Sequence, residues 1–137
     1  MKKHILFVCR YNRFRSVIAE ALFKKYNKDK SIKVKSGAPI KGRPLSSNVK
    51  KLAKELNLTI KKHPSRLTSS IMMWQNITII VADDVSETLF DKNKEYSKKV
   101  IVWNISDVKT DTLKEMREIT KEIEKQVVKL VKELKKD

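Results

Sequence analysis

Near the start of the chain four apolar residues follow one another, Ile5-Leu6-Phe7-Val8, and no other feature constrains the fold as strongly. A run without alternation has no solvent face. It must be covered on both sides, as the central strand of a parallel sheet is. The signature returns at Ile77 to Ala82 and, more briefly, at Val100 to Trp103, while Ile32 to Lys35 alternates and reads as another strand. Between these runs the apolar spacing turns helical. Ser16 to Tyr26 carries Ile18, Ala21, Leu22 and Phe23 on its apolar side. Ser46 or Ser47 can cap a helix bearing Val49, Leu52, Ala53 and Leu56. Thr68 to Trp74 predicts a short helix, and Val85 to Phe90 a turn or two. Thr112 to Leu134 predicts a long amphipathic helix, with Leu113, Met116, Thr120, Ile123, Val127, Leu130, Val131 and Leu134 recurring at helical spacing. Gly37, Pro39, Pro44 and Pro64 punctuate the loops.

Strands alternating with helices imply an α/β fold: a four-stranded parallel sheet, doubly wound, with helices on both faces. The 137 residues suit a single domain with one core, and no repeat, low-complexity segment or linker divides residues 1–137. Both Trp74 and Trp103 are expected inside. Ligands of such sheets sit beyond the C-terminal ends of the strands. That edge should collect the loops after Val8, Ser36, Ala82 and Trp103.

Composition narrows the function. No apolar run approaches the roughly 20 residues of a membrane helix, and no cleavage site follows Ile5 to Val8, so a soluble cytoplasmic protein is expected. Cys9 is the sole cysteine, and His4 and His63 are the only histidines. Neither a disulfide within the chain nor a cysteine metal cluster can form, and neither zinc nor any other metal or cofactor is expected. The net charge of +16 is uneven: residues 1–66 hold 19 Lys and Arg against 3 Asp and Glu, and residues 67–137 hold 13 of each. A solvated lysine surface explains this, and so does attraction of an anionic substrate, phosphoprotein or nucleic acid.

The segment Cys9-Arg10-Tyr11-Asn12-Arg13-Phe14-Arg15-Ser16 lies between the first strand and the first helix. A loop in this position curls around an anion, because its N–H groups and the helix dipole converge there. The dipole and Arg15 would both push a thiol at the strand end toward thiolate. Six residues separate Cys9 from Arg15, so both ends of one loop can face one phosphate. The planar fork of Arg15 matches two phosphate oxygens. A buried strand-end cysteine without chemistry is the plain alternative.

With Cys9, Asn12, Arg15 and Ser16 in the pattern Cys-x-x-Asn-x-x-Arg-Ser, followed by Ala19-Glu20-Ala21-Leu22, the chain resembles the low-molecular-weight protein tyrosine phosphatase family. The likeness extends to Ser36-Gly37, to His63-Pro64-Ser65-Arg66, to Ile79 through Asp83, and to Asp107 after the fourth strand. The resemblance implies a flavodoxin-like fold and metal-free hydrolysis of a phosphate ester through a phosphocysteine. Cys9 would be the nucleophile, Arg15 the phosphate ligand and Asp107 the general acid. The loop residues Arg10, Tyr11, Asn12, Arg13, Phe14, Arg15 and Ser16 would bind the phosphate. Ser16 would donate to the thiolate, and Asn12, Ser36 and His63 would support the loop.

Three departures stand out. Tyr11 replaces a usual glycine, so it should project outward or stiffen the loop. Phe14 stands where many members have a second cysteine. Val108 and Lys109, not proline and aromatic residues, follow Asp107, which could also serve as a simple turn residue. The expected partners are phosphorylated proteins or small phosphate esters, with acidic substrates favoured by Arg10, Arg13, Lys41, Arg43 and Lys109. No membrane partner is expected, a nucleic acid is left open without being expected, and no oligomeric state is specified. Two rival readings remain: an arsenate reductase using an external thiol, since Cys9 has no partner for an internal relay, and a non-catalytic module that reads phosphate or nucleic acid.

Overall fold

The computed structural model describes residues 3–40, 42–96 and 98–136. Four parallel strands, β1 (Lys3–Val8), β2 (Ile32–Gly37), β3 (Ile77–Val81) and β4 (Lys99–Trp103), form one sheet in the order β2-β1-β3-β4. Val8 lies opposite Gly37 on one side and Ile80 on the other, and Val81 lies opposite Trp103. All four strands therefore end at one edge. The chain leaves β1 toward β2 and later returns to build β3 and β4 on the other side, so β1 and β3 border the switch point where such sheets bind ligands.

Side chains alternate between two cores of unequal size. Ile5, Phe7, Ile77, Ile79 and Val81 face the larger one, against α1 (Arg15–Tyr26), α2 (Ser47–Glu55) and α5 (Leu113–Lys135). Leu6, Val8 and Ile80 face the smaller one with Phe90, covered by Leu67, by Ile71 and Met72 of α3 (Ser69–Trp74), and by Val85 and Val100. Helices cover both faces, as the unbroken apolar runs require. Among the described residues no helix is long and apolar enough to cross a membrane.

Local signals fix the helix starts. Ser46, Thr68 and Thr112 each accept a hydrogen bond from the N–H three residues on, satisfying one of the orphan donors of the first turn. Thr112 caps α5, so Asp111 stands just outside it. Glu115 then reaches back to accept from the N–H groups of Lys109 (2.6 Å) and Thr110 (2.8 Å), tying the loop after β4 to α5.

Three sequence expectations need adjustment. Every residue of α1 from Arg15 to Phe23 is buried, because the helix packs on β1, β2 and β3 and also against α5. The turn predicted to stop at Phe90 is a 3-10 helix, Glu87–Phe90, that continues into α4 (Asp91–Glu95), whose polar sequence carries no apolar period. Trp103 is in the core, tilted against Phe7 at 5.8 Å. Trp74 is only half-buried, with His4 stacked flat on it at 4.4 Å and the Lys35 ammonium 4.4 Å from its ring.

Candidate active site

The segment after β1 turns sharply into α1. Its one positive φ, 53°, belongs to Asn12 and not to Tyr11. Asparagine tolerates this left-handed region better than most residues with a Cβ. Tyr11 can therefore replace glycine without strain. Its ring is partly exposed, with the Arg10 guanidinium 5.2 Å from its centroid. Among the described residues, nothing accepts from the backbone N–H groups of residues 10–14. Those donors are free for an anion.

Cys9 is buried at the strand end, and its Sγ lies 2.9 Å from Ser16 Oγ. Arg15 is 2% exposed. A buried guanidinium without partners would cost several kcal/mol. Arg15 has several: Nη1 donates to Ile105 O (2.9 Å), and Nη2 donates to Asp84 Oδ1 (2.9 Å). Asp83 and Asp107 stand 3.7 Å away. Asp107 uses its other oxygen to accept from Val108 N (2.8 Å), while Oδ2 faces Arg15. Cys9, Tyr11, Arg15, Asp107, Val108 and Asp111 share the wall of a cavity of about 250 Å³. Val49 and Met116 add apolar surface to it, and Phe14 lines it while anchoring the loop in the larger core.

A hydrogen-bond network, buried at Asn12, Ser16 and Ser36 and half-buried at Lys61 and Ser65, backs the loop. Asn12 Nδ2 donates to Ser16 Oγ (2.7 Å), and Asn12 Oδ1 accepts from Ser65 N (2.8 Å) and Lys61 Nζ (2.8 Å). Lys61 also donates to Ser65 Oγ (2.8 Å) and to Ser36 O (3.0 Å). The Ser36 hydroxyl donates to the buried carboxylate of Glu20 (2.6 Å). Burial pushes the Lys61 ammonium below the ordinary lysine range; Glu20 opposes this, Lys24 adds to it and Cys9 opposes it.

The network corrects one expectation. His63 is exposed, and among the described residues no hydrogen bond joins it to the loop. The place expected of it is taken by Lys61, whose longer side chain reaches in from two residues earlier. Asp84, not Asp83, holds Arg15 at hydrogen-bond distance. The acidic doublet was visible in the sequence, but which member turns inward was not. Nothing in the sequence marked Lys61 or the buried role of Glu20.

Two of the rim cations are less free than their positions suggest. Arg13 donates from Nε and Nη2 to the carbonyls of Arg43 and Pro44, fastening the neighbouring loop. Gly42 lets that loop approach closely: a Cβ there would fall 2.4 Å from Tyr11 O. Arg10 is 3.9 Å from Asp84. Arg43 and Lys109 are exposed, and Lys41 lies outside the described residues. Among the described residues no group of three or more His, Cys, Asp and Glu is placed to hold a metal ion.

The model of the family described as low molecular weight phosphotyrosine protein phosphatase matches residues 4–137. Similar solved structures include an arsenate reductase from Archaeoglobus fulgidus, 28% identical over 93% of this chain and 98% of that one, with a TM-score of 0.74. The YwlE arginine phosphatase from Geobacillus stearothermophilus is 22% identical over 98% of this chain and 94% of that one, with a TM-score of 0.82. A low molecular weight protein tyrosine phosphatase from T. tengcongensis is 22% identical over 96% and 99%, with a TM-score of 0.83. At such identities the last two speak to the fold. No curated protein matches the chain.

Proposed function

Since the chain belongs to the low molecular weight phosphotyrosine protein phosphatase family, we propose that it hydrolyses phosphate monoesters, phosphotyrosine in proteins foremost, through a phosphocysteine at Cys9. One observation carries this reading. Cys9 from the end of β1, Arg15 from the start of α1 and Asp107 from the loop after β4 line one cavity of about 250 Å³.

The reaction follows from that arrangement. The Cys9 thiolate attacks phosphorus in line, and the bond to the leaving oxygen breaks. Asp107 gives that oxygen its proton. Asp107, now a carboxylate, takes a proton from water as the water oxygen attacks phosphorus. The phosphorus–sulfur bond breaks, inorganic phosphate leaves and the thiolate returns. The guanidinium of Arg15 and the free amides of residues 10–14 stabilise charge on the equatorial oxygens through both steps. Arg15 has five N–H donors, and its bonds to Ile105 and Asp84 leave others for the phosphoryl group. Asn12 and Ser16 hold the loop and the sulfur. The exposed Arg43 and Lys109 and the basic N-terminal half favour substrates with acidic flanks. The enzyme works in the cytoplasm, where a lone thiol stays reduced.

A second reading has its own support. Asp111 lines the cavity beside Asp107, so two carboxylates could receive the N–H groups of a guanidine leaving group. The Geobacillus protein is called an arginine phosphatase. The test is turnover of p-nitrophenyl phosphate, a phosphotyrosine peptide and a phosphoarginine peptide by the wild type and by Cys9→Ser. The first reading expects kcat/KM to favour the phosphotyrosine peptide and Cys9→Ser to be inactive. A preference for phosphoarginine would move the assignment to the second reading. Absence of all three activities, with arsenate reduced in the presence of an external thiol, would overturn both.

A further inference from the structure

Behind the loop stands a cation that the reaction scheme does not use. Lys61 Nζ meets four oxygens: Asn12 Oδ1 and Ser65 Oγ at 2.8 Å, Ser36 O at 3.0 Å and Ser36 Oγ at 3.3 Å. None belongs to a carboxylate. Among the described residues no Asp or Glu lies within ion-pair distance of this ammonium. Its charge is balanced only at a distance, by Glu20 through Ser36.

We propose that Lys61 is a positioning residue for Cys9, orienting the chain of hydrogen bonds that ends on the sulfur and supplying the positive charge that favours its thiolate. The proposal rests on the phosphatase reading only for its consequence in turnover.

The orientation follows from donor and acceptor counting. A protonated lysine can only donate. Asn12 must therefore turn its carbonyl oxygen toward Lys61, where Ser65 N–H also donates to it. Its NH₂ group then points the other way and donates to Ser16 Oγ at 2.7 Å. Having accepted there, the Ser16 hydroxyl has its own proton free for Cys9 Sγ at 2.9 Å. Each group hands the next a donor, and the last acceptor is the sulfur. A thiolate suits that end better than a thiol. A neutral imidazole in place of Lys61 could accept as well as donate, and would leave the direction open.

The charge acts the same way. The ammonium stands three hydrogen bonds from the sulfur, through Asn12 and Ser16, and a cation placed there favours an anion at the end of the chain. The other charged groups do not replace it. Glu20 of α1 opposes it at Ser36, and Lys24 of the same helix is paired with Glu20 at 3.4 Å. Arg15, on the cavity side, is surrounded by Asp83, Asp84 and Asp107.

The experiment is the rate of Cys9 alkylation by iodoacetamide as a function of pH, which reads the thiolate directly and needs no turnover. At about pH 6 an ordinary thiol is almost wholly protonated. There Lys61→Met should be alkylated roughly 3–10-fold more slowly than wild type, the loss of one nearby opposite charge. The gap should close at alkaline pH, and Lys61→Arg should restore most of the rate. Folded Lys61→Met that reacts at the wild-type rate at every pH would overturn the proposal. If Lys61→Met does not fold, Lys61→Gln and Lys61→Arg are compared instead: slow Gln with fast Arg supports the proposal, and equal rates overturn it. The two readings fail separately. Inert aryl phosphate with a Lys61-dependent alkylation profile rejects the phosphatase, whereas turnover with a profile indifferent to Lys61 rejects only the positioning role.

Discussion

Two cations flank the loop, and their surroundings differ in kind. Arg15, on the cavity side, has three carboxylates around it, with Asp84 at 2.9 Å and Asp83 and Asp107 at 3.7 Å. Lys61, behind, has only neutral oxygens in contact. The front holds more carboxylates than cations before any substrate arrives, and these partly exposed carboxylates can shift when a phosphate dianion enters. The rear is half-buried at Lys61, against the buried Asn12 and Ser36, and its ammonium meets no carboxylate among the described residues. The division separates two tasks: the front exchanges partners during a turnover, while the rear holds one arrangement throughout. Variants at the partly exposed carboxylates of the front should therefore change rates with little change in stability, and variants at the rear should change stability first.

Apart from the nucleophile Cys9, whose replacement by serine should abolish turnover, the largest effect is expected at Asp107. Asp107→Asn should cost on the order of 10²–10⁴-fold in kcat for alkyl or unactivated aryl phosphates. The loss should shrink for p-nitrophenyl phosphate, whose leaving group needs little protonation. Equal losses on the two substrates would make Asp107 a structural residue and turn attention to Asp111, which shares the cavity wall.

Arg15→Lys comes next. It keeps a charge but loses the fork, and both kcat and affinity for phosphate should fall, on the order of 10²–10³-fold in kcat/KM. Near-normal kinetics would show that the phosphate is held elsewhere.

Behind the loop the comparison can be sharpened with Ser36→Ala. The Glu20 carboxylate, buried, would lose the hydroxyl that donates to it at 2.6 Å. The expected cost is about 1–3 kcal/mol of folding stability, read from chemical denaturation. Turnover at a temperature where the variant is folded should change only a few-fold. A variant as stable as wild type but catalytically dead would erase the division between front and rear.

How much of this was legible in the sequence follows the same division. The apolar runs of β1 and β3 gave away the parallel sheet, because a strand covered on both faces cannot alternate, whereas β4, at the edge of the sheet, leaves Val102 exposed. The segment from Cys9 to Ser16 announced the loop, since a strand, an anion-binding turn and a helix appear there in order. Asp107 was singled out by the family resemblance, and it lines the cavity with Cys9 and Arg15. The rear was not. In a chain with 32 Lys and Arg, nothing in the sequence distinguishes Lys61 from a solvated lysine, and the histidine two residues on offered a more familiar candidate. Glu20 was hidden because α1 is buried on all sides, which its spacing did not reveal. Trp74 was misplaced because the His4 ring that stacks on it comes from the far end of the sequence. Contacts between distant segments decide such cases, and periodicity does not report them.

The smallest effect is expected from charge at the rim. A phosphotyrosine peptide with acidic flanks should exceed a neutral one in kcat/KM by a few-fold at low salt, since steering acts on association. The advantage should fade as the Debye length shortens from about 10 Å at 0.1 M to about 3 Å at 1 M. With Arg13 committed to neighbouring carbonyls and Arg10 close to Asp84, the burden falls on exposed residues such as Arg43 and Lys109. Equal values at low salt would leave these side chains as a soluble surface.

The most direct test of the central claim, that Cys9 carries the phosphoryl group, is an acid quench of the enzyme during turnover of p-nitrophenyl phosphate, followed by peptide mass analysis. The account expects one added phosphoryl group on the peptide containing Cys9, enriched in Asp107→Asn if breakdown slows more than formation, and absent from Cys9→Ser. Sustained turnover by Cys9→Ser, or a phosphoryl group trapped on any other residue of the active wild type, would contradict it.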